Sequence, residues 1–206
     1  MKPKDLLKKY LLSDVVDVVE PLGFKYSASQ LHFARKYQNT RQVFSFSLSK
    51  WNSENRCTFW TMWSVTSTSY ATWHKEQWGE FPVNNALGGD LDCNISNWER
   101  GNDHYFHLYN IEADKNEIER LIKNILQVGV PFLESVSTWD GAAEHFLVHK
   151  FMYHRVADFF IIAGKPERAK DALLEGIKQY EDLGRIDNFG DLPMIKARLA
   201  KYPSIR

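Results

Sequence analysis

Apolar and polar residues alternate along this chain with two different periods. Leu6, Leu7, Tyr10, Leu11, Val15, Val18, Val19 and Leu22 recur at the 3.6-residue spacing of one helical face. Gly23 follows as a C-terminal stop. The pattern predicts an amphipathic N-terminal helix, with a break near Ser13 left open. From Phe24 the period drops to two. Phe24–Tyr26 and Leu31–Tyr37 read as a short hairpin, and Gln38-Asn39-Thr40 turns the chain into the next element.

The clearest alternation runs from Gln42 to Trp51. It puts Phe44, Phe46 and Leu48 on one face and Val43, Ser45, Ser47, Ser49 and Trp51 on the other. Asn52 to Asn55 makes a turn. The return strand puts Cys57, Phe59, Thr61, Trp63 and Val65 on the first face and Thr58, Trp60, Met62 and Ser64 on the second. Ser69 to Glu80 is too irregular for a strand and reads as a short helix or an aromatic loop. Gly88-Gly89 reads as a turn, with two more strands expected at Leu91–Ile95 and Tyr105–Tyr109.

After Asn110 the helical period returns. Asn116–Val128 is expected as a helix ended by Gly129 and Pro131. Asp140–Ile162 and Pro166–Tyr180 are expected as a helical hairpin, with Gly164 as the stop between them. No 34-residue repeat is present. The fold class is therefore α+β: an N-terminal helix, an antiparallel sheet of about five or six strands, and C-terminal helices including a helical hairpin. The expected division is a sheet domain over 1–135 and a helical extension over 136–206 that packs on it as one structural unit.

Composition narrows the partners. Lys plus Arg and Asp plus Glu are balanced at 26 each, which gives no overall field toward nucleic acid or an anionic membrane, so neither is expected as a partner. The early lysines are followed by Asp5 and Asp14 instead of an apolar run, and the segment reads as a helix, not a leader. Cys57 and Cys93 lack metal or redox spacing and read as reduced core thiols, which points to the cytoplasm. Aromatics make up 14% of the chain, with seven tryptophans. At that density they fill a core or line a recognition surface.

Pro21-Leu22-Gly23-Phe24-Lys25 closing the first helix, Phe33 and Arg35 in the next strand, and the serine-rich Val43–Ser49 follow one another in a characteristic order. Leu91, Trp98, the His107-Leu108 pair and Val130-Pro131-Phe132-Leu133-Glu134 continue it. In this the chain resembles a bacterial family described as domain of unknown function 4304, over about Leu6 to Leu183. A tryptophan pair expected in the fourth strand is replaced by Phe106 and His107. The resemblance implies the fold and no activity; among accessory bacterial genes of this kind, an immunity-type role is the analogy it suggests.

Candidate chemistry is sparse. His145 and His149 share a helical face, but Phe146 stands where a zinc peptidase needs its glutamate, and the five-residue step to His154 turns away, so no metal is expected. Asp90 and Asp92 lie on one face of the expected strand, where local hydrogen bonding beside the glycines explains them as well as catalysis does. No nucleophile elbow, phosphate loop or dinucleotide fingerprint occurs, and no cofactor is expected. The collective pattern says more. If the apolar strand faces share one core, Trp60, Met62, Asp92, Tyr105, His107 and Tyr109 gather with Ser45 and Ser47 on the opposite face. The leading expectation is a non-catalytic binding protein that recognises a protein or small ligand through this aromatic and polar face. The alternative is a small-molecule enzyme using Asp92 and His107 as a base and its orienting partner.

Overall fold

The computed structural model describes residues 1–90, 105–184, 186–187 and 190–202, with backbone only at Asp90. The expectations placed on Leu91–Ile95, including Asp92 and Cys93, lie outside the described residues. The chain divides into two compact units, Met1–Glu134 and Ser135–Arg206. No helix among the described residues is long and apolar enough to cross a membrane.

The first unit opens with α1 (Pro3–Tyr10), a π-helical turn at Leu11–Val15 and α2 (Val16–Val19). The expected break near Ser13 is thus a widened turn within a continuous helical path. It keeps Leu6, Leu7, Leu11, Val15 and Val19 all fully buried. A 3-10 turn then ends at Gly23, whose φ of 88° only glycine adopts at no steric cost.

Six antiparallel strands follow: β1 (Lys25–Ser27), β2 (His32–Tyr37), β3 (Thr40–Leu48), β4 (Cys57–Ser67), β5 (Ala86–Asp90) and β6 (Phe106–Leu108). Their order is β1-β2-β3-β4-β5, with β6 also pairing β4. β4 is long enough to hold both neighbours on one edge, β6 along Cys57–Phe59 and β5 along Trp63–Thr66. Residues directly opposite one another share a face, and three such pairs on the core face are stacked aromatics. Phe33 stacks on Phe44 at 4.8 Å, Phe44 on Trp63 at 4.8 Å, and Phe59 on Phe106 at 5.3 Å.

Gly88-Gly89 is not the turn expected from the sequence. Both glycines lie inside β5, opposite Val65 and Ser64, next to a ladder irregularity at Val65/Thr66. A side chain at Gly89 would sit 3.0 Å from the Trp63 carbonyl oxygen, so the pair marks a close backbone approach. The stretch from Ser69 onward is helical: α3 (Thr68–Trp78) starts at Ser67, whose hydroxyl accepts from the Tyr70 N–H. α4 (Asp114–Asn124) and α5 (Val130–Ser135) are joined by a second π-helical turn at Ile125–Gly129. They bring Ile118, Leu121, Ile125 and Leu133 into the same core.

One polar cluster ties the first unit's ends to its sheet. Buried Arg35 on β2 donates to Gln42 Oε1 on β3 at 2.7 Å, to the Leu22 carbonyl at 2.8 Å and to Glu134 at 2.8 Å. Gln42 in turn donates to the Leu133 carbonyl at 3.0 Å. The Phe24 ring lies 4.5 Å from the guanidinium.

The second unit holds α6 (Trp139–Val148), α7 (Tyr153–Ile162), α8 (Pro166–Ile177) and α9 (Asp191–Lys201). The first arm of the expected hairpin is therefore two helices. Lys150 and Met152, both at φ 52°, turn the chain between them. Asp191 accepts from the Tyr153 and His154 backbone N–H groups at the start of α7, and Arg198 grips Asp158 with two bonds of 2.8 and 2.6 Å.

Gly129 offers a test of the core. A Cβ there would lie 1.9 Å from the ring of Trp63, which is buried between it and Phe44. Alanine normally stabilises a helix relative to glycine, yet Gly129→Ala is expected to destabilise by about 1–3 kcal/mol through overpacking. Urea unfolding checks this; unchanged or increased stability contradicts the packing described.

Candidate functional site

The second face of the sheet is built by the same register as the core. Ser47 stands opposite Trp60, Ser45 opposite Met62, and Thr58 opposite His107. None of these side chains is fully buried, and Tyr105 and Tyr109 are exposed. On the other face Cys57, Phe59, Thr61, Trp63 and Val65 are all buried. Burial pushes the Cys57 thiol up to about 12, aided by the Asp114 charge, which keeps it an unreactive thiol.

Five of the six residues expected on this site are described, and four of them form a continuous group. Trp60 meets Tyr105 edge to face at 5.6 Å, and His107 lies nearly parallel to Tyr109 at 6.5 Å. Met62 lies one step along β4, on the same face. Asp92 lies outside the described residues.

Short β6 is held by the helix that follows it. The His107 backbone N–H donates to Glu117 at 2.8 Å, and Arg120 donates to the Tyr105 carbonyl at 2.6 Å while pairing with Glu117. Burial pushes the Glu117 carboxyl up, but the Arg120 and His107 bonds outweigh it and hold the group below its ordinary range. Asp114 accepts from the Tyr109 and Asn110 N–H groups and from the Tyr10 hydroxyl, fixing the strand's exit. The His107 Nδ1 is 3.1 Å from the Thr58 hydroxyl, which sets the ring's tilt.

Beside this group lies a shallow depression of about 540 Å³, lined by Ser49, Lys50, Trp51, Arg56, Trp60 and His107 among others. Trp51 is 79% exposed, with the Lys50 ammonium 5.1 Å from its ring. These neighbours were missed as candidates, although the alternation that places Ser47 also places Trp51. Among the described residues the histidines do not gather as a metal site would. His145 and His149 meet edge to face at 4.9 Å, while buried His154 belongs to the next helix and bonds Asp191.

A family model described as "Domain of unknown function (DUF4304)" matches residues 15–135. The chain belongs to this family. The match runs from the N-terminal helical path to α5 and includes the whole sheet, so the face and the Arg35 cluster are both within the DUF4304 region. Nothing matches among curated proteins or among solved structures.

The two tryptophans of β4 give the face a direct test. Trp63→Ala removes a buried, stacked ring and should cost about 3–5 kcal/mol. Trp60→Ala should cost less than about 2 kcal/mol, the range of a partly exposed side chain. Denaturant unfolding of both variants measures the difference. A Trp60 loss equal to that of Trp63 would make the second face a core.

Proposed function

We infer that this DUF4304 chain is a non-catalytic binding or accessory protein that recognises its partner through the aromatic end of the open sheet face. One observation carries the reading: the Trp60, Tyr105, His107 and Tyr109 rings are grouped on a face where no described strand side chain is buried, although β4 buries every alternate residue on the opposite face. Exposed aromatics among small polar side chains have the composition of binding hot spots, since rigid rings give large contact area at low entropic cost. The buried, free Cys57 supports a reducing cytoplasmic setting.

The test uses the full chain and a Trp60→Ala/Tyr105→Ala double variant as baits in an extract of the source cell, with Lys123→Ala as a control remote from the face. The expected outcome is a partner retained by wild type and by the control, and at least tenfold less by the double variant, as truncating a hot spot worth about 2 kcal/mol implies. Equal retention by all three contradicts the reading.

A further inference from the structure

Net neutrality conceals a segregated charge pattern. The six strands contain Lys25, Arg35, Lys36 and Arg41 together with His32 and His107. Their one acidic residue, Asp90, stands at the register position of Trp63. Arg35 is consumed in the buried cluster with Glu134. The other three cations belong to the second face: Lys36 stands opposite Arg41, and Lys25 opposite Ala34, which is itself opposite Val43. All three are exposed.

Lys25, His32, Lys36 and Arg41 line a second depression of about 770 Å³ on this face, together with Asn39, Thr66 and Asn85. No carboxylate lines it among the described residues. His32 registers the local field: burial pushes its pKa down and the Arg41 charge pushes it further. At the other end of the face, the aromatic depression contains Lys50 and Arg56 and again no described carboxylate. Glu54, in the loop between β3 and β4, faces the Met1 amino group instead. Glu117, below β6, is paired with Arg120.

The two cationic ends are joined by a floor without charge, made of Val43, Ser45, Met62, Ser64 and Thr66. From Arg41 to Ser47, opposite Trp60, the strand rises six residues, or about 20 Å at roughly 3.3 Å per residue. A small anion fits one end only. A flexible polyanion with flat rings fits both, with its phosphates over the lysines and arginines and its bases on Trp51, Trp60, Tyr105 and Tyr109. Stacking on exposed aromatics beside a basic track is how open sheets hold unpaired bases, in modules that track about 4 to 16 nucleotides.

We propose that the open sheet face of this DUF4304 unit binds single-stranded nucleic acid, the basic end taking the backbone and the aromatic end stacking the bases. The balanced total of acids and bases, which argues against such a partner at the level of the whole chain, averages over this segregation. The proposal rests on the recognition-face reading and names its ligand.

The probes are fluorescein-labelled single strands of DNA and RNA of about 12 nucleotides, a length within the range such a face tracks. Fluorescence anisotropy is measured with the full chain between about 50 and about 200 mM salt. Expected are saturable binding that weakens with salt, a loss of about tenfold or more for Lys36→Glu/Arg41→Glu with a salt slope reduced by about 1 to 2, and a comparable loss for Trp60→Ala/Tyr105→Ala with the slope unchanged. Circular dichroism confirms that these surface variants are folded. No strand binding by wild type overturns the nucleic-acid assignment alone, leaving the recognition face to the capture experiment. Equal competition by poly-glutamate of matched charge, or equal affinity for a mononucleotide, overturns it in favour of an acidic polypeptide or a small anion. Strand binding that survives both double variants overturns the assignment to this face and leaves the recognition face to the capture experiment.

Discussion

Along β4 the burial alternates without a fault from Cys57 to Ser67: every odd-numbered residue is buried and every even-numbered one is not. That single regularity decides what the rest of the first unit can do. A strand's side chains alternate strictly between its two faces, and a one-residue slip would exchange the whole set. Phe44, Phe59, Phe106 and Trp63 therefore have one place to go, under α1, α2 and α4, and their stacking across β2, β3, β4 and β6 locks the register. Whatever lies on the even positions is held in line at no cost in core packing. This leaves Trp60 half-buried on the second face, while Trp63, three residues away, is buried in the core.

The Arg35 cluster explains how so few helices close one face of a six-stranded sheet. It joins the end of the N-terminal helical path at Leu22, the β2–β3 pair and the end of α5 at Leu133 and Glu134. A buried guanidinium is tolerated only when its donors are satisfied and its charge is matched. Here Gln42, Leu22 and Glu134 take its donors, so the cluster fixes where the two flanking segments meet the sheet. The short segments by which the sequence resembles DUF4304, Pro21–Lys25, Phe33 with Arg35 and Val130–Glu134, are brought together at this point. Scattered in sequence, they are neighbours in space.

Much of this was legible beforehand, because β3 and β4 have a core face and a solvated face whose periodicity is plain in the residues themselves. The gathering of Trp60, Tyr105, His107 and Tyr109 followed from alternation alone. What was not legible has local causes. Gly88-Gly89 has turn composition, but a long neighbouring strand supplied its backbone with partners. Asp140–Ile162 carries a continuous apolar stripe, and nothing in its composition signals the left-handed Lys150 and Met152 that break it. α9 went unread because its buried face contains Asp191 and Arg198, whose partners Tyr153, His154 and Asp158 are distant in sequence. The basic row of Lys25, Lys36 and Arg41 was hidden by the neutral total, since it forms only when three strands are laid side by side.

The central claim is that the described strands bury the residues of one face along β4 and leave those of the other partly exposed. Hydroxyl-radical footprinting with mass-spectrometric readout tests it in the native protein, without mutation and without a ligand. The account predicts fast oxidation of Trp60, Met62, Tyr105 and Tyr109, and protection of Phe44, Phe59, Trp63 and Phe106. Equal protection of Trp60 and Trp63 would contradict it.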